Sequence, residues 1–169
     1  RIPYTFSKIH IADYFDDCVE ELNLELDAQH VDLTYFNYLE DDPVVIADAE
    51  QIKRVINNIV SNSIKYMDTS HKVINIRLRD VGDFVQVEIE DNGKGIDPAI
   101  LPIIFEGQLP TGDHAASDGK RSMGIGLSVC MSIIQAHQGD MKAENMAAHR
   151  GARIQFWLPC QEENWMEEA

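Results

Sequence analysis

The amino-acid sequence predicts an α+β fold: a two-layer α/β sandwich, in which a mixed, mostly antiparallel sheet is covered on one face by three main helices. Stretches with apolar residues every three or four positions alternate with stretches in which every second residue is apolar. The stretches of period two come largely as hairpins, which favours this sandwich over a doubly wound parallel sheet. A length of 169 residues and an apolar fraction of 44% suit one domain with a substantial core.

The first third of the chain predicts one helix and two strands. From Asp13 to about Ala28 the apolar residues have helical spacing, and they are Phe15, Cys18, Val19, Leu22 and Leu26. An alternating run from Val31 to Tyr35 predicts a half-buried strand. After a turn at residues 41–43, the apolar run from Val44 to Ala47 predicts a short buried strand.

The middle of the chain predicts a capped helix followed by a hairpin. Asp48 is placed to cap the free amides of this helix, with Gln51 as its reciprocal partner in a capping box. Two alternating runs, residues 74–78 and 85–89, then flank a turn at Gly82-Asp83. The apolar stripe of the helix comprises Ile52, Val55, Ile56, Ile59, Val60, Ile64 and Met67.

The rest of the chain predicts a long loop, a helix and two strands. Residues 91–123 have no sustained period apart from one short helix predicted around residues 98–105, so they suit a functional lid or a disordered segment. A third helix is predicted from about Gly124 to His137, with Gly139 as its stop signal. Two closing strands complete the predicted domain, residues 1–160, and residues 161–169 form an acidic tail.

The charge balance narrows the kind of partner that the chain can bind. There are 14 Lys and Arg against 29 Asp and Glu, a formal net charge of −15, which weighs against nucleic acid and anionic membranes. No apolar run approaches the roughly 18 residues of a membrane-spanning helix. The cysteines and histidines lack metal-ligand spacing, so a metal site built from protein ligands alone is not expected.

The predicted second helix carries a polar edge. Asn58 and Asn62 lie four residues apart on one face, and Lys65 follows three residues later. One interpretation is a solvated helix face. The other is a site for Mg²⁺ and phosphate, because Mg²⁺ takes oxygen ligands and needs few from the protein when phosphates supply the rest.

Two glycine-containing segments add further polar groups. Asp91 follows a predicted strand and begins the segment Asp91–Ile96, which is either a hairpin turn or a loop that approaches a flat ligand closely. A carboxylate at that position can accept the amine of adenine and so discriminate between bases. Residues 120–127 place a basic pair and Gly-x-Gly at a predicted helix start, a weak signal for an anion site. They match neither a P-loop nor a dinucleotide-binding fingerprint.

Taken in order, these motifs resemble those of the catalytic ATP-binding domain of sensor histidine kinases, a group with the Bergerat fold that also includes gyrase, Hsp90 and MutL. The resemblance extends to the last predicted strand, Arg153–Pro159. Residues 120–132 further resemble the Kdp-type potassium-responsive sensor kinases. The matching segments are the N box at 58–66, the first glycine box at 91–96, the F box at 104–106 and the second glycine box at 123–127.

The resemblance implies roles for individual residues in a site for ATP and Mg²⁺. Asn62 would ligate Mg²⁺, and Asp91 would bind the adenine amine. Asn58 and Lys65 would approach the phosphates, and Arg121 would contact the γ-phosphate, so these three form the implied catalytic set. The other residues of the implied nucleotide site are Tyr66, Gly93, Gly95, Ile96, Phe105, Gly124, Ile125, Gly126 and Leu127.

Three positions depart from the patterns of related families and so narrow the expected activity. In the second glycine box, Ser122 stands where the family has glycine and Met123 where it has Thr or Ser, which predicts a stiffer lid. Gyrase-like and Hsp90-like ATPases carry a glutamate base four residues before the metal-binding asparagine, where this chain has Asn58. An amide cannot take that proton, so direct hydrolysis is disfavoured. A histidine acceptor needs no such base, because neutral imidazole is already a nucleophile.

The expected function is therefore to bind Mg-ATP and to donate its γ-phosphoryl group to a histidine on a dimerisation domain, in two-component signal transduction. None of the six histidines has the acceptor context of the family, so we expect a monomeric catalytic part of a longer sensor. The expected partners are that phosphoacceptor domain and a response regulator, on the cytoplasmic side of a membrane-anchored bacterial sensor. Two alternatives stay open: a non-catalytic nucleotide-binding or docking module, and an ATPase of the gyrase or Hsp90 type.

Overall fold

A computed structural model describes residues 2–107 and 118–161, without the side chains of residues 118–125. The strands are β1 Ser7–His10, β2 Val31–Asn37, β3 Val44–Ala47, β4 Lys72–Val81, β5 Phe84–Asp91, β6 Asp140–Asn145 and β7 Ala152–Pro159. The helices are α1 Ile11–Ala28, α2 Ala49–Tyr66 and α3 Asp118–Ala136, and residues Leu101–Ile103 form a short 3-10 turn. The acidic tail from residue 162 onward lies outside the described residues, so its boundary stays a prediction.

The main sheet has five strands in the spatial order β2-β4-β5-β7-β6. Strands β2 and β4 are parallel, whereas the other three neighbouring pairs are antiparallel. This arrangement confirms the predicted mixed, mostly antiparallel sheet. The central strand β5 ends at Asp91, and this end of the sheet is where the predicted first glycine box begins.

The three helices cover one face of the sheet and bury their apolar stripes between the layers. The core contains Phe15 from α1, Ile56 from α2, Ile133 from α3 and Phe156 from β7, each at most 1% exposed. Fully burying a side chain of this size contributes about 1.5–3 kcal/mol to stability. The predicted sandwich with three helices on one face is therefore confirmed. None of the helices in the described residues combines the length and apolar character needed to span a membrane.

A second, two-stranded sheet joins the N-terminal segment to the start of α2. Strands β1 and β3 pair in antiparallel register, with Ser7 opposite Ala47. The turn before β3 caps α1 from a distance, because the Asp42 carboxylate accepts a hydrogen bond from the Ala12 amide at 2.7 Å. These contacts hold α1 and α2 side by side on the main sheet.

Asp48 caps α2 as predicted, and it also connects three segments. Its Oδ1 accepts a hydrogen bond from the Gln51 amide at 3.2 Å, and its Oδ2 accepts one from the Thr5 amide at 2.8 Å. The Asp48 amide itself donates to Nε2 of His137, near the end of α3, at 3.0 Å. The predicted reciprocal bond from the Gln51 side chain is therefore wrong, since His137 has taken its place. Among the described residues, Oε1 of Gln51 is buried without a hydrogen-bond partner.

Helix α3 differs from its predicted bounds at both ends. It begins at Asp118, earlier than the predicted Gly124, so the Gly-x-Gly segment lies within the helix and not at its start. The left-handed residue after the helix is Gln138, with φ of 64°, and not Gly139. Gly139 is needed for a different reason, because a Cβ there would collide with the backbone oxygen of Trp157 in β7.

The sheet face away from the helices carries a ladder of ion pairs. Glu88 and Glu90 of β5 are buried despite their charge, at 3% and 7% exposure. The guanidinium of Arg79 donates to Glu88 at 2.7 Å, and that of Arg77 donates to Glu90 at 2.8 Å. Arg153 of β7 reaches Glu88 at 3.3 Å. Since a buried carboxylate is costly unless it is paired, this ladder offsets the cost of burying Glu88 and Glu90 on a sheet face that no helix of the described residues covers.

Replacing Asp48 with Ala should destabilise the protein. The variant leaves the amides of Thr5 and Gln51 without their acceptor, and the loss of an N-cap costs about 1–2 kcal/mol. Asp48→Asn is the matched control, because its amide oxygen can still accept at the helix start. Urea denaturation followed by circular dichroism measures both variants. A midpoint for Asp48→Ala equal to that of Asp48→Asn would contradict the capping role.

Candidate functional site

A cavity opens where α2, the C-terminal end of β5 and α3 meet. Counting the part that is open to solvent, it encloses about 420 Å³, and an adjoining cavity of about 690 Å³ shares the wall formed by Tyr66 and residues 94–96. Seven of the predicted site residues line the first cavity: Asn62, Tyr66, Asp91, Gly93, Gly95, Ile96 and Leu127.

Asp91 forms the polar part of the wall at the end of β5. Its Oδ1 accepts hydrogen bonds from the amides of Gly93 at 2.9 Å and Ala152 at 3.3 Å. Burial raises the pKa of this carboxyl, and hydrogen bonds from those two amides and from the Ser63 hydroxyl oppose the rise. Because both backbone donors bind Oδ1, lone pairs of Oδ2 remain for a side-chain or ligand donor, such as the amine of adenine.

The loop after Asp91 has the shape of a ligand wall and not of a hairpin turn. Gly95 has a φ of 87°, a left-handed conformation that glycine adopts without strain. A Cβ at Gly93 would lie 2.8 Å from Cγ of Met67, so a larger residue there would push against the end of α2. The side chain of Asn92 joins the loop to the start of β4 through hydrogen bonds of 2.9 and 2.7 Å with backbone groups.

Helix α2 presents Asn62 and Tyr66 to the cavity. The Nδ2 atom of Asn62 is buried and has no hydrogen-bond partner among the described residues. Asn58 lies one turn earlier, where its side chain hydrogen-bonds to the thiol of Cys130 in α3. The ammonium of Lys65 lies 5.9 Å from the centre of the Tyr66 ring, and its side chain lines a separate groove beside α1. The structure therefore places Asn62 in the cavity wall, whereas neither Asn58 nor Lys65, the other two predicted phosphate contacts of α2, lines either cavity.

Helix α3 closes the cavity from the opposite side. Leu127 is buried in the wall, and a Cβ at Gly126 would lie 3.3 Å from Nδ2 of Asn62, so this glycine lets the two helices approach closely. Phe105 packs against the core and does not line either of these cavities. The contacts predicted for Arg121, Gly124 and Ile125 lie outside the described side chains.

Several residues of the site were missed from the sequence. Ile59 and Ser63 precede Asn62 and Tyr66 by three residues each on the same face of α2, so helical spacing could have identified them. Ala152 and Ile154 come from β7 and carry no local signal. The same is true of Asn145, the last residue of β6, which hydrogen-bonds to the backbone of Ile96.

The donor groups of the cavity limit how a metal could bind. In the part of the chain that the structure describes, no three His, Cys, Asp or Glu side chains come together in a way that could hold a metal ion. A metal in this cavity would therefore depend on few protein ligands. The amide of Asn62 fits that requirement, because it lies in the wall, its nitrogen has no partner among the described residues, and its neutral oxygen is a ligand that Mg²⁺ accepts.

The sequence matches the family model described as histidine kinase-, DNA gyrase B-, and HSP90-like ATPase over residues 47–162. This span covers more than half of the chain and includes every residue that lines the two cavities. The chain therefore belongs to this family, and its fold is that of a histidine kinase catalytic domain.

Individual relatives agree with this assignment. The adaptive-response sensory kinase SasA of Synechocystis sp. is 34% identical over 149 residues, which cover 88% of this chain and 38% of SasA. The sensor protein KdpD of Clostridium acetobutylicum is 36% identical over 120 residues, or 71% of this chain and 13% of KdpD. SasA is a sensory kinase by name and KdpD a sensor protein, so the resemblance to the Kdp type is confirmed but is shared with other sensors. The chain spans less than half the length of either relative.

A solved structure shows the same fold. The catalytic domain of the histidine kinase ThkA superimposes with a TM-score of 0.73 at 24% identity, covering 92% of this chain and 95% of that domain. At this identity the comparison supports the architecture alone.

Replacing Asp91 with Asn should change how stability depends on pH. The folded-state pKa of Asp91 is raised above the unfolded value of about 3.9, so ionisation weakens the folded state and wild-type stability falls as the pH rises from that value. Asn stays neutral and keeps an oxygen for the amides of Gly93 and Ala152. The variant should therefore gain stability relative to wild type, by about 1.4 kcal/mol for each unit of the pKa rise.

Urea denaturation of both proteins without nucleotide, at several pH values from roughly 4 to 8, measures this difference. A constant difference in the free energy of unfolding across the whole range would show that the Asp91 carboxyl is not perturbed by burial.

Proposed function

We propose that the protein binds Mg-ATP in the cavity between α2, β5 and α3, and donates the γ-phosphoryl group to a histidine on a dimerisation domain. The single observation that supports this best is that Asp91, the loop of residues 92–96 (the glycine loop) and Asn62 converge on one cavity. The carboxylate suits the amine of adenine, and the glycines allow the flat base to approach the backbone. The amide of Asn62 suits the opposite, phosphate end of the ligand.

Asn62 would hold Mg²⁺ through its side-chain oxygen, with phosphates and water as the other ligands. The ion, when bound, neutralises negative charge on the phosphates. The buried nitrogen of the same amide, which has no partner among the described residues, is available to donate to a phosphate oxygen or a water. Lys94 lies in the wall of both cavities and adds positive charge. The protein thus contributes mainly alignment and electrostatic stabilisation, as is general in phosphoryl transfer.

The acceptor must come from outside the described cavity. None of the five described histidines lines either cavity, and His137 is buried between α3 and α2. The neutral imidazole of an acceptor would attack the γ-phosphorus, the bond to the bridging oxygen of the β-phosphate would break, and ADP would leave. Sensor kinases such as SasA are more than twice as long as this chain, which leaves room for an acceptor domain in proteins of this kind. A response regulator is the proposed recipient of the phosphoryl group.

Direct hydrolysis of ATP is the weaker candidate. It needs a base near the attacking water, and the residue at the corresponding position of α2 is Asn58, whose amide takes no proton. Its hydrogen bond to Cys130 also directs it toward α3 and away from the cavity wall.

Asn62→Ala should remove the Mg²⁺-dependent part of nucleotide affinity. Wild type should bind a non-hydrolysable ATP analogue more tightly with Mg²⁺ than without it, and the variant should lose at least about tenfold in affinity when Mg²⁺ is present and less when it is absent. Asn57→Ala is the matched control, because Asn57 is an exposed neighbour that lines the groove beside α1. Titration calorimetry measures all three proteins, and an Asn62→Ala affinity equal to that of Asn57→Ala would contradict the metal role.

Phosphoryl transfer can be tested directly with a supplied acceptor. The chain, mixed with γ-labelled ATP, Mg²⁺ and the histidine-bearing dimerisation hairpin of the longer sensor proposed here, should transfer label to that hairpin in an acid-labile form. Asn62→Ala should slow the transfer by at least about tenfold. Steady release of phosphate by the chain alone, abolished by Asn58→Ala, would instead identify an ATPase. Analogue binding without any transfer would identify a non-catalytic module.

A further inference from the structure

Asn145, which does not line the cavity, holds the glycine loop through hydrogen bonds to its backbone. Oδ1 of Asn145 accepts a hydrogen bond from the Ile96 amide at 2.7 Å, and Nδ2 donates to the Ile96 carbonyl oxygen at 2.9 Å. One side chain thus satisfies both backbone groups of Ile96, a residue that belongs to no strand or helix. A Cβ at Gly95 would lie 2.8 Å from Oδ1 of Asn145, so the left-handed glycine is what permits this contact.

The other end of the same connection holds Asp91. Asn145 is the register partner of Ala152, the first residue of β7, whose amide donates to the Asp91 carboxylate at 3.3 Å. Between them, the Met146 amide donates to the Gly151 carbonyl at 2.9 Å and closes the loop. Gly151 has a φ of 131°, and a Cβ there would collide with the backbone oxygen of Asp91. The connection therefore lies against the glycine loop at both of its ends.

We propose that the β6–β7 connection, residues 145–152, is a positioning element for base recognition, and that Asn145 sets the distance between the Asp91 carboxylate and the opposite wall of the base pocket. The inference rests on the proposed nucleotide function. Asn145 acts through Ile96 and touches no ligand, whereas Ile96 lines both cavities. Asn145 and Ala152 face each other across the β6–β7 strand pair. A displacement of the contact between Asn145 and Ile96 therefore also displaces the hydrogen bond from Ala152 to Asp91.

The contact can be broken without creating a hole in the core. Asn145 is exposed, so its replacement exchanges two hydrogen bonds for water and leaves the apolar packing intact. Asn37 is a matched control at the far end of the molecule from β6, because its side chain also binds a backbone group, the Leu39 amide at 2.9 Å, from an exposed position. The two asparagines therefore allow equal substitutions inside and outside the proposed element.

Base discrimination is the decisive measurement. Non-hydrolysable analogues of ATP and GTP are titrated into wild type, Asn145→Ala and Asn37→Ala, with urea midpoints recorded for each. Asn145→Ala should lose at least about tenfold in affinity for the ATP analogue and less for the GTP analogue, so that the ratio of the two falls. Asn37→Ala should keep the wild-type ratio. A merely structural role would lower both affinities together.

Asn145→Asp gives a second readout, by pH. Its carboxylate can accept from the Ile96 amide, but its second oxygen faces the Ile96 carbonyl and must be protonated to donate. The affinity of this variant for the ATP analogue, relative to wild type, should therefore rise as the pH is lowered from about 6.5 to 4, toward the ordinary Asp pKa of about 3.9, and Asn37→Asp should show no such rise. The titratable and charged residues of the neighbouring segments, which are the same in every variant, are Asp91, Lys94, Glu144, His149, Arg150 and Arg153.

The outcomes separate this inference from the function on which it rests. If wild type binds neither analogue, the proposed nucleotide function is wrong. If wild type binds and folded Asn145→Ala keeps both its affinity and its base ratio, the positioning role alone is wrong. A flat ratio of Asn145→Asp to wild type across the pH range would likewise overturn it.

Discussion

The partial burial of one carboxylate, that of Asp91, is the constraint on which the site depends. A buried charged group is costly unless hydrogen bonds compensate for the lost water, so donors must reach it from the surrounding structure. They come from three segments: the Gly93 amide in the glycine loop, the Ala152 amide at the start of β7, and the Ser63 hydroxyl of α2. The hydrogen bonds to Asp91 therefore connect the same elements that form the cavity.

The distribution of charge explains how a chain with a net charge of −15 can carry a site for a polyphosphate. On the open sheet face, arginines pair with Glu88, Glu90 and Glu144, so much of the negative charge there is neutralised within the fold. Arg150 is paired with Asp68 at the surface. Lys94, by contrast, lies in the wall of both cavities. The local charge near a ligand thus differs from the global charge, and only the global charge argues against nucleic acid.

Local signals in the sequence predicted most of the fold, and the errors arose where distant segments meet. Helical and alternating periods located the helices and the hairpin, and the cap at Asp48 is confirmed because capping is a local interaction. The reciprocal role of Gln51 failed because His137, 89 positions away from Asp48, takes that amide. Glycine is needed at position 139 because a side chain there would collide with β7. A rule that places glycine after the end of a helix does not include such a contact between distant segments. The role of Asn145 was not predicted because it too depends on a distant segment, since its partner Ile96 lies 49 positions earlier.

Under the proposed function, the environment of Asn58 offers no group at that position that could activate water. A base at this position would activate water, whereas the amide hydrogen-bonds to Cys130, whose pKa burial raises to about 11, so the thiol stays protonated at neutral pH. Neither group of this pair takes up a proton under those conditions, and the pair lies between α2 and α3 and outside the cavity wall. Bound nucleotide would therefore be spared from water until an acceptor with its own nucleophile arrives. Under the proposed function, transfer then depends on the approach of a second domain and not on the presence of ATP alone.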